Sequence, residues 1–119
     1  MPQLIQKHAD GTSVKQWDLK NKSLIVGRGE QADAQTGDEA MSRRHFEIVE
    51  KNGAYLIRDL QSRNGTTVNG HAITETTIGS GDTVRAGETI FVFADGLNTV
   101  IGQLAKQNQG YSSFVRKLS

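Results

Sequence analysis

The chain has 119 residues, with 14 Lys and Arg against 13 Asp and Glu, and it contains no cysteine. A chain of this length most simply forms one domain, and the lack of cysteine excludes a disulfide framework and a thiolate zinc site. The net charge of +1 argues against a nucleic-acid or membrane surface driven by bulk charge. Because no apolar run approaches the ~20 residues of a membrane span and no signal-peptide core is present, we expect a cytoplasmic protein without membrane insertion.

Short segments of strand-like residues, separated by turn signals such as Asn52-Gly53 and Asn69-Gly70, fill most of the chain. The predicted strands in chain order are Leu4–Lys7, Ser13–Leu19, Ser23–Gly27, His45–Glu50, Ala54–Asp59, Thr67–Val68, His71–Ile73, Thr76–Ile78, Thr83–Ala86 and Thr89–Phe93. Nine to eleven short strands with regular turn signals predict an all-β sandwich or barrel.

Two segments depart from this pattern. Residues Arg28–Met41 are polar and small and have neither strand nor helix periodicity, which predicts a long loop of the kind that is often functional. After the last strand, three apolar residues have the spacing of one helical face. We therefore predict a domain at residues 1–95 and a C-terminal extension at 96–119, with a helix at 98–107 followed by a tail.

Three polar clusters at predicted turns contain candidate anion-binding residues. Arg28 follows an apolar strand and a glycine, and Ser42, with Arg43 beside it, stands just before the next strand. The planar guanidinium group of an arginine can donate two parallel hydrogen bonds to a phosphate. On a third loop, Arg63 precedes Asn64, whose amide both donates and accepts, as recognition of a peptide backbone requires. Each residue alone has an ordinary surface or turn explanation, but together they indicate an anion site.

Among the residues near the polar clusters, a histidine is the most plausible candidate for a catalytic base. His45 follows Ser42 by three positions, so a hydrolase using this pair is an alternative. A Ser–His pair also needs an orienting carboxylate and an oxyanion hole, and no such context is visible. We favour a structural histidine that hydrogen-bonds the loop, and we predict no catalytic residue, no metal site and no cofactor. The other two histidines, His8 and His71, are too scattered to form a metal site with it.

The order and spacing of the polar clusters resemble the forkhead-associated (FHA) domain family. The motifs are Gly27-Arg28, Ser42-x-x-His45, the run Ile57–Gly70 with its Asn64-Gly65 and Asn69-Gly70 pairs, and Gly81-Asp82-Thr83-Val84. The resemblance covers roughly residues 3–95. It implies an eleven-stranded antiparallel β-sandwich that binds phosphothreonine peptides through loops at one end.

The resemblance also implies roles for individual residues. By position, Arg28 and Ser42 would contact the phosphate, Arg43 and Arg63 would occupy adjacent contact positions, and Asn64 would hold the peptide main chain, while Gly27, His45 and Gly65 would shape the loops. The implied function is a signalling module that recruits a phosphothreonine-containing partner of a Ser/Thr kinase pathway. The alternative is a phosphorylation-independent FHA-type scaffold or oligomerisation domain in a bacterial secretion or division assembly.

The long loop carries four acidic residues, Glu30, Asp33, Asp38 and Glu39. If their carboxylates face the bound peptide, they favour a basic or neutral sequence beside the phosphothreonine. The sequence predicts neither the partner, the kinase nor the oligomeric state.

Overall fold

This computed structural model describes residues 2–19 and 23–95. These residues contain eleven strands and no helix. The strands are β1 (Pro2–Lys7), β2 (Ser13–Asp18), β3 (Ser23–Gly27), β4 (Ala34–Gln35), β5 (Phe46–Lys51), β6 (Ala54–Asp59), β7 (Thr66–Val68), β8 (His71–Ile73), β9 (Glu75–Ile78), β10 (Thr83–Ala86) and β11 (Thr89–Asp95). The predicted eleven-stranded, all-β fold is confirmed. The helix predicted at 98–107 lies outside the described residues.

The strands form two sheets. One has the order β2-β1-β11-β10-β7-β8 and the other the order β4-β3-β5-β6-β9. All pairings are antiparallel except that of β3 with β4, which is parallel and only two residues long. Strand β4 lies inside the segment that the sequence predicts to be a continuous loop. The sequence does not indicate this strand, because two residues are too few to show a strand period. Strand β4 adds an edge to the second sheet and holds the middle of the long segment against the sandwich.

The core lies between the two sheets and is made of alternate side chains from each. Phe46 on β5 and Phe91 on β11 are fully buried, and their rings meet edge to face with centroids 5.6 Å apart. Tyr55 and Phe93 make a second contact across the sandwich, at 5.2 Å. Because such aromatic pairs add about 0.5–1.5 kcal/mol beyond their buried area, these contacts fix one sheet on the other.

Strand register places the polar loops at one end of the sandwich. Val26 at the end of β3 pairs with Phe46 at the start of β5, and Phe46 pairs in turn with Asp59 at the end of β6. On the other sheet, Thr66 at the start of β7 pairs with Ala86 at the end of β10. The loops that leave or enter these strands, including residues 28–45 and 60–65, therefore lie together.

Candidate functional site

The first two loop segments are joined by their backbones directly after β3. The Arg28 amide donates to the carbonyl of Ser42 and the Gly29 amide donates to the carbonyl of Arg43, each at 3.0 Å. Gly27 makes this approach possible, since a Cβ at that position would lie 2.1 Å from the Arg43 carbonyl oxygen. The base of Arg28 is thus held on a fixed backbone, and its Nε donates to the Met41 carbonyl at 3.0 Å.

His45 lies beneath the loops and is fully buried. Its Nδ1 accepts a hydrogen bond from the Ser42 amide at 3.0 Å, so the ring hydrogen is on Nε2, which donates to the Gly65 carbonyl at 2.8 Å. Both ring nitrogens are therefore occupied in joining two loops. Gly65 has a φ of +80°. A residue with a Cβ would adopt this left-handed conformation only at a cost of roughly 1–2 kcal/mol, so glycine suits this turn.

The third loop, residues 60–65, is joined to the second by two side chains. The Ser42 hydroxyl oxygen accepts the Arg63 amide at 3.0 Å, which leaves the hydroxyl hydrogen free to donate elsewhere. The Asn64 side-chain amide donates to the Ala40 carbonyl at 2.7 Å. One of the two N–H groups of the Asn64 side chain therefore holds the loops together. The side-chain oxygen and the second N–H remain available to a ligand.

A central depression opens where the three loops meet. It is lined by Arg28, Glu39, Ala40, Met41, Ser42, Arg43 and Arg63. Residues 2–19 and 23–95 contain two ion pairs, and both are made by Arg58, which contacts Glu47 and Glu75. The three arginines of the central depression are not ion-paired there. Three positive charges against the single carboxylate of Glu39 give this depression a net positive charge suited to an anion.

Two carboxylates that the sequence did not single out as supports hold the loops in place. Asp38 accepts hydrogen bonds from the Glu88 amide, the Thr89 hydroxyl and the Ala40 amide at 2.7–2.8 Å, so it fastens the long loop to the β10–β11 turn. Burial alone would raise the pKa of Asp38, but the hydrogen bonds from Thr89, Glu88 and Ala40 lower the pKa below its usual value of 3.8. Its carboxylate therefore serves the loop rather than a ligand.

Asp59, at the end of β6, has the same function for the third loop. It accepts hydrogen bonds from the Ser62 amide, the Ser62 hydroxyl and the Thr66 hydroxyl. Burial again opposes ionisation, and the hydrogen bonds outweigh it, so the pKa of Asp59 is lowered from 3.8. The bond to the Ser62 amide spans three residues, so it is a local side-chain-to-backbone bond of the kind that Asp makes in turns.

The hydrogen bonds of Asp59 predict a pH-dependent effect on stability. Since the folded-state pKa is below the unfolded value, the stabilisation is complete above about pH 5 and is lost as the pH falls through the folded-state pKa. Asp59→Asn should lower the free energy of unfolding by about 1–3 kcal/mol at pH 7, and its difference from wild type should shrink towards pH 3. Urea unfolding at both pH values measures this. A difference that is the same at pH 7 and pH 3 would contradict the assigned role.

The acidic residues of the long loop do not all face the ligand side as expected. Asp38 is engaged as described, and Asp33 accepts the Ile25 amide at 2.8 Å on β3. Glu30 and Glu39 remain exposed beside the arginines. Only two of the four carboxylates, those of Glu30 and Glu39, therefore remain to favour a basic or neutral flank.

Comparison with known proteins agrees with this architecture. Residues 24–87 match the family model of the FHA domain, and the chain belongs to that family. It is 39% identical over 80 residues to the FHA domain-containing protein FhaA of Mycobacterium tuberculosis, a match that covers 67% of this chain and 15% of FhaA. This chain thus corresponds to only a small part of that relative's length. FHA domains are binding modules.

Solved FHA structures superpose on the same region. A chain from a study of phosphothreonine-dependent FHA domain interactions has a TM-score of 0.71 and 33% identity, and the match covers 79% of this chain and 95% of that one. The FhaA FHA domain, in complex with the intracellular domain of Rv3910, has a TM-score of 0.70 and 33% identity over 78% of this chain and 99% of its own.

Two further structural features bear on function. Over the described ranges, no helix has the length and apolar character that crossing a bilayer requires. Within the same ranges, no three His, Asp or Glu side chains lie close enough together to hold a metal ion.

Proposed function

We propose that this chain binds phosphothreonine peptides and recruits a partner phosphorylated by a Ser/Thr kinase. The observation that carries the proposal is the central depression, which is lined by Ser42 and by Arg28, Arg43 and Arg63, three arginines without ion-pair partners among the described residues. Guanidinium groups and a hydroxyl donor match the oxygens of a phosphate. Each charge-assisted hydrogen bond contributes about 1.5–3 kcal/mol, so two or three of them give useful affinity for one phosphate.

We further propose that Arg28 and Ser42 contact the phosphate directly and that Arg43 and Arg63 flank it. Asn64 then holds the peptide main chain with its free oxygen and remaining N–H. Gly27, His45 and Gly65 keep the loops in register. The rigid base of Arg28 and the Arg63-to-Ser42 hydrogen bond support these roles, since a site that is ordered before binding loses less entropy when the ligand arrives.

The proposed activity is binding without catalysis. The commitment of both ring nitrogens of His45 to backbone groups supports this, because neither is available to take a proton from Ser42. A cytoplasmic place of action fits the complex that the related FhaA domain forms with an intracellular domain. The phosphorylation-independent scaffold has no observation of its own in its favour.

The experiment is a calorimetric titration with three versions of one peptide. We expect the phosphothreonine version to bind at least about 100-fold tighter than the unphosphorylated one, because two or more charge-assisted bonds are lost with the phosphate. The phosphoserine version should bind several-fold more weakly, since one buried methyl contributes about 0.8 kcal/mol and the β-branched threonine restricts its own rotamer. Equal affinity for phosphorylated and unphosphorylated peptides would favour the scaffold alternative.

A further inference from the structure

A second depression lies beside the central one, on the side of the edge strand β4, and we call it the side depression. The residues that line it and enter the argument are Arg28, Arg43, Arg44, Glu30, Gln31 and Gln35. Arg28 and Arg43 also line the central depression, so the two are adjacent. Arg44 lines only the side depression of these two, and neither the proposed phosphate contacts nor the loop supports use it.

The side depression has an unbalanced charge. Arg28, Arg43 and Arg44 face one carboxylate, that of Glu30, and within residues 2–19 and 23–95 none of the three arginines is ion-paired. Arg44 also borders a third depression, but there Asp59 is held by Ser62 and Thr66. Among the described residues, the charge of Arg44 therefore has no ion-pair partner in either depression.

The wall of the side depression is fixed and polar. Gln35 lies on β4, whose pairing with β3 holds it, and its Nε2 donates to the Arg28 carbonyl at 3.2 Å. Gln31 supplies a second amide at the rim. Neutral amides and net positive charge disfavour a lysine or arginine of the ligand and favour a carboxylate or phosphate.

We propose that the side depression is an anion subsite that reads an acidic or phosphorylated residue beside the phosphothreonine, with Arg44 as its specificity-determining residue. This inference rests on the proposed function of the central depression. Because the two depressions share two arginines and an extended peptide advances ~3.3–3.6 Å per residue, the second anion lies within one to three residues of the phosphothreonine. The selected ligand is an acidic or doubly phosphorylated segment, in contrast to the basic or neutral flank expected from the sequence.

The test uses a set of phosphothreonine peptides in which every flanking residue is alanine, except that glutamate or phosphoserine is placed singly at each of the three positions on either side. At one or two positions on the same side, the anionic residue should tighten binding to the wild-type protein about three- to fivefold, as an exposed ion pair allows, and phosphoserine should do so at least as much as glutamate. Arg44→Ala should remove that gain and leave affinity for the all-alanine peptide within about twofold. The control, Arg85→Ala, removes another exposed arginine, which lies on β10 and lines neither depression, and should keep the full gain.

A charge-reversal pair sharpens the test. Arg44→Glu should reject the peptide with glutamate at the selected position and accept one with lysine there, whereas wild type does the opposite. Arg44 is exposed, so the variants should unfold at the wild-type temperature. Equal affinity of wild type for anionic and all-alanine peptides, or a gain that survives in Arg44→Ala, would overturn the subsite alone. If the all-alanine phosphothreonine peptide does not bind, the proposed function fails first and the subsite falls with it.

Discussion

Arg28→Ala is expected to weaken binding of a phosphothreonine peptide by about 100-fold or more while leaving the protein folded. The side chain stands on a backbone fixed by the Arg28-to-Ser42 hydrogen bond, and it lines the central depression without an ion-pair partner among residues 2–19 and 23–95. Removing the guanidinium group would delete the two charge-assisted hydrogen bonds that we propose it donates to the phosphate, at about 1.5–3 kcal/mol each. Calorimetric titration of both proteins with one peptide measures the loss.

Two companion variants separate charge from geometry. Arg28→Lys retains the charge but loses the planar fork and the Nε bond to the Met41 carbonyl, so it should fall between wild type and Arg28→Ala. Arg85→Ala, which removes an exposed charge that lines neither depression, should bind like wild type. If Arg28→Ala binds within about threefold of wild type, Arg28 does not contact the phosphate.

Gly27→Ala is expected to damage both the fold and the site. An added Cβ would lie 2.1 Å from the Arg43 carbonyl oxygen, 2.7 Å from its carbon and 2.9 Å from the Ser42 carbonyl oxygen. All three are backbone atoms, so no side-chain rotation relieves the contact and the two loops must separate. We expect the free energy of unfolding to fall by about 1–3 kcal/mol, as in other overpacked sites, and binding to weaken at least about tenfold because Ser42 moves away from Arg28.

The long loop that follows Gly27 contains another glycine that serves as a matched control. Gly37 has open space around its Cβ position and no positive φ, so Gly37→Ala should leave both stability and binding close to wild type. Chemical denaturation and a peptide titration of the two variants form the comparison. Wild-type stability in Gly27→Ala would mean that the close approach of β3 to Arg43 is not a constraint on the loop.

Sequence reasoning predicted the strands well where short-range signals were strong. Ser23–Gly27, Ala54–Asp59 and Thr83–Ala86 were predicted at the bounds that the structure has. Apolar residues bounded by turn signals define such strands without reference to the rest of the chain. The sequence does not predict the two-residue strand β4, because this strand is defined by its parallel pairing with β3. Such a pairing leaves no periodic pattern of apolar residues in the sequence.

The same division holds at the site. Motif positions indicated Arg28, Ser42 and His45, and the structure gathers them at one end of the sandwich. The long-range supports were not visible: Asp38 binds Glu88 and Thr89, which are 50 and 51 residues away. No local pattern reveals such a partner, so the sequence alone does not predict which loop carboxylates are free to face a ligand.

The most direct test of the central claim is to map the binding surface by NMR. Backbone amide shifts of the ¹⁵N-labelled protein would be followed during addition of a phosphothreonine peptide, and again with its unphosphorylated form. We predict that the largest shifts occur at Arg28, Ser42, Arg63 and Asn64 and that the unphosphorylated peptide produces none at the same concentration. Shifts centred on the β2 edge or on the faces of the sheets, or shifts at the loops that do not depend on the phosphate, would contradict the account.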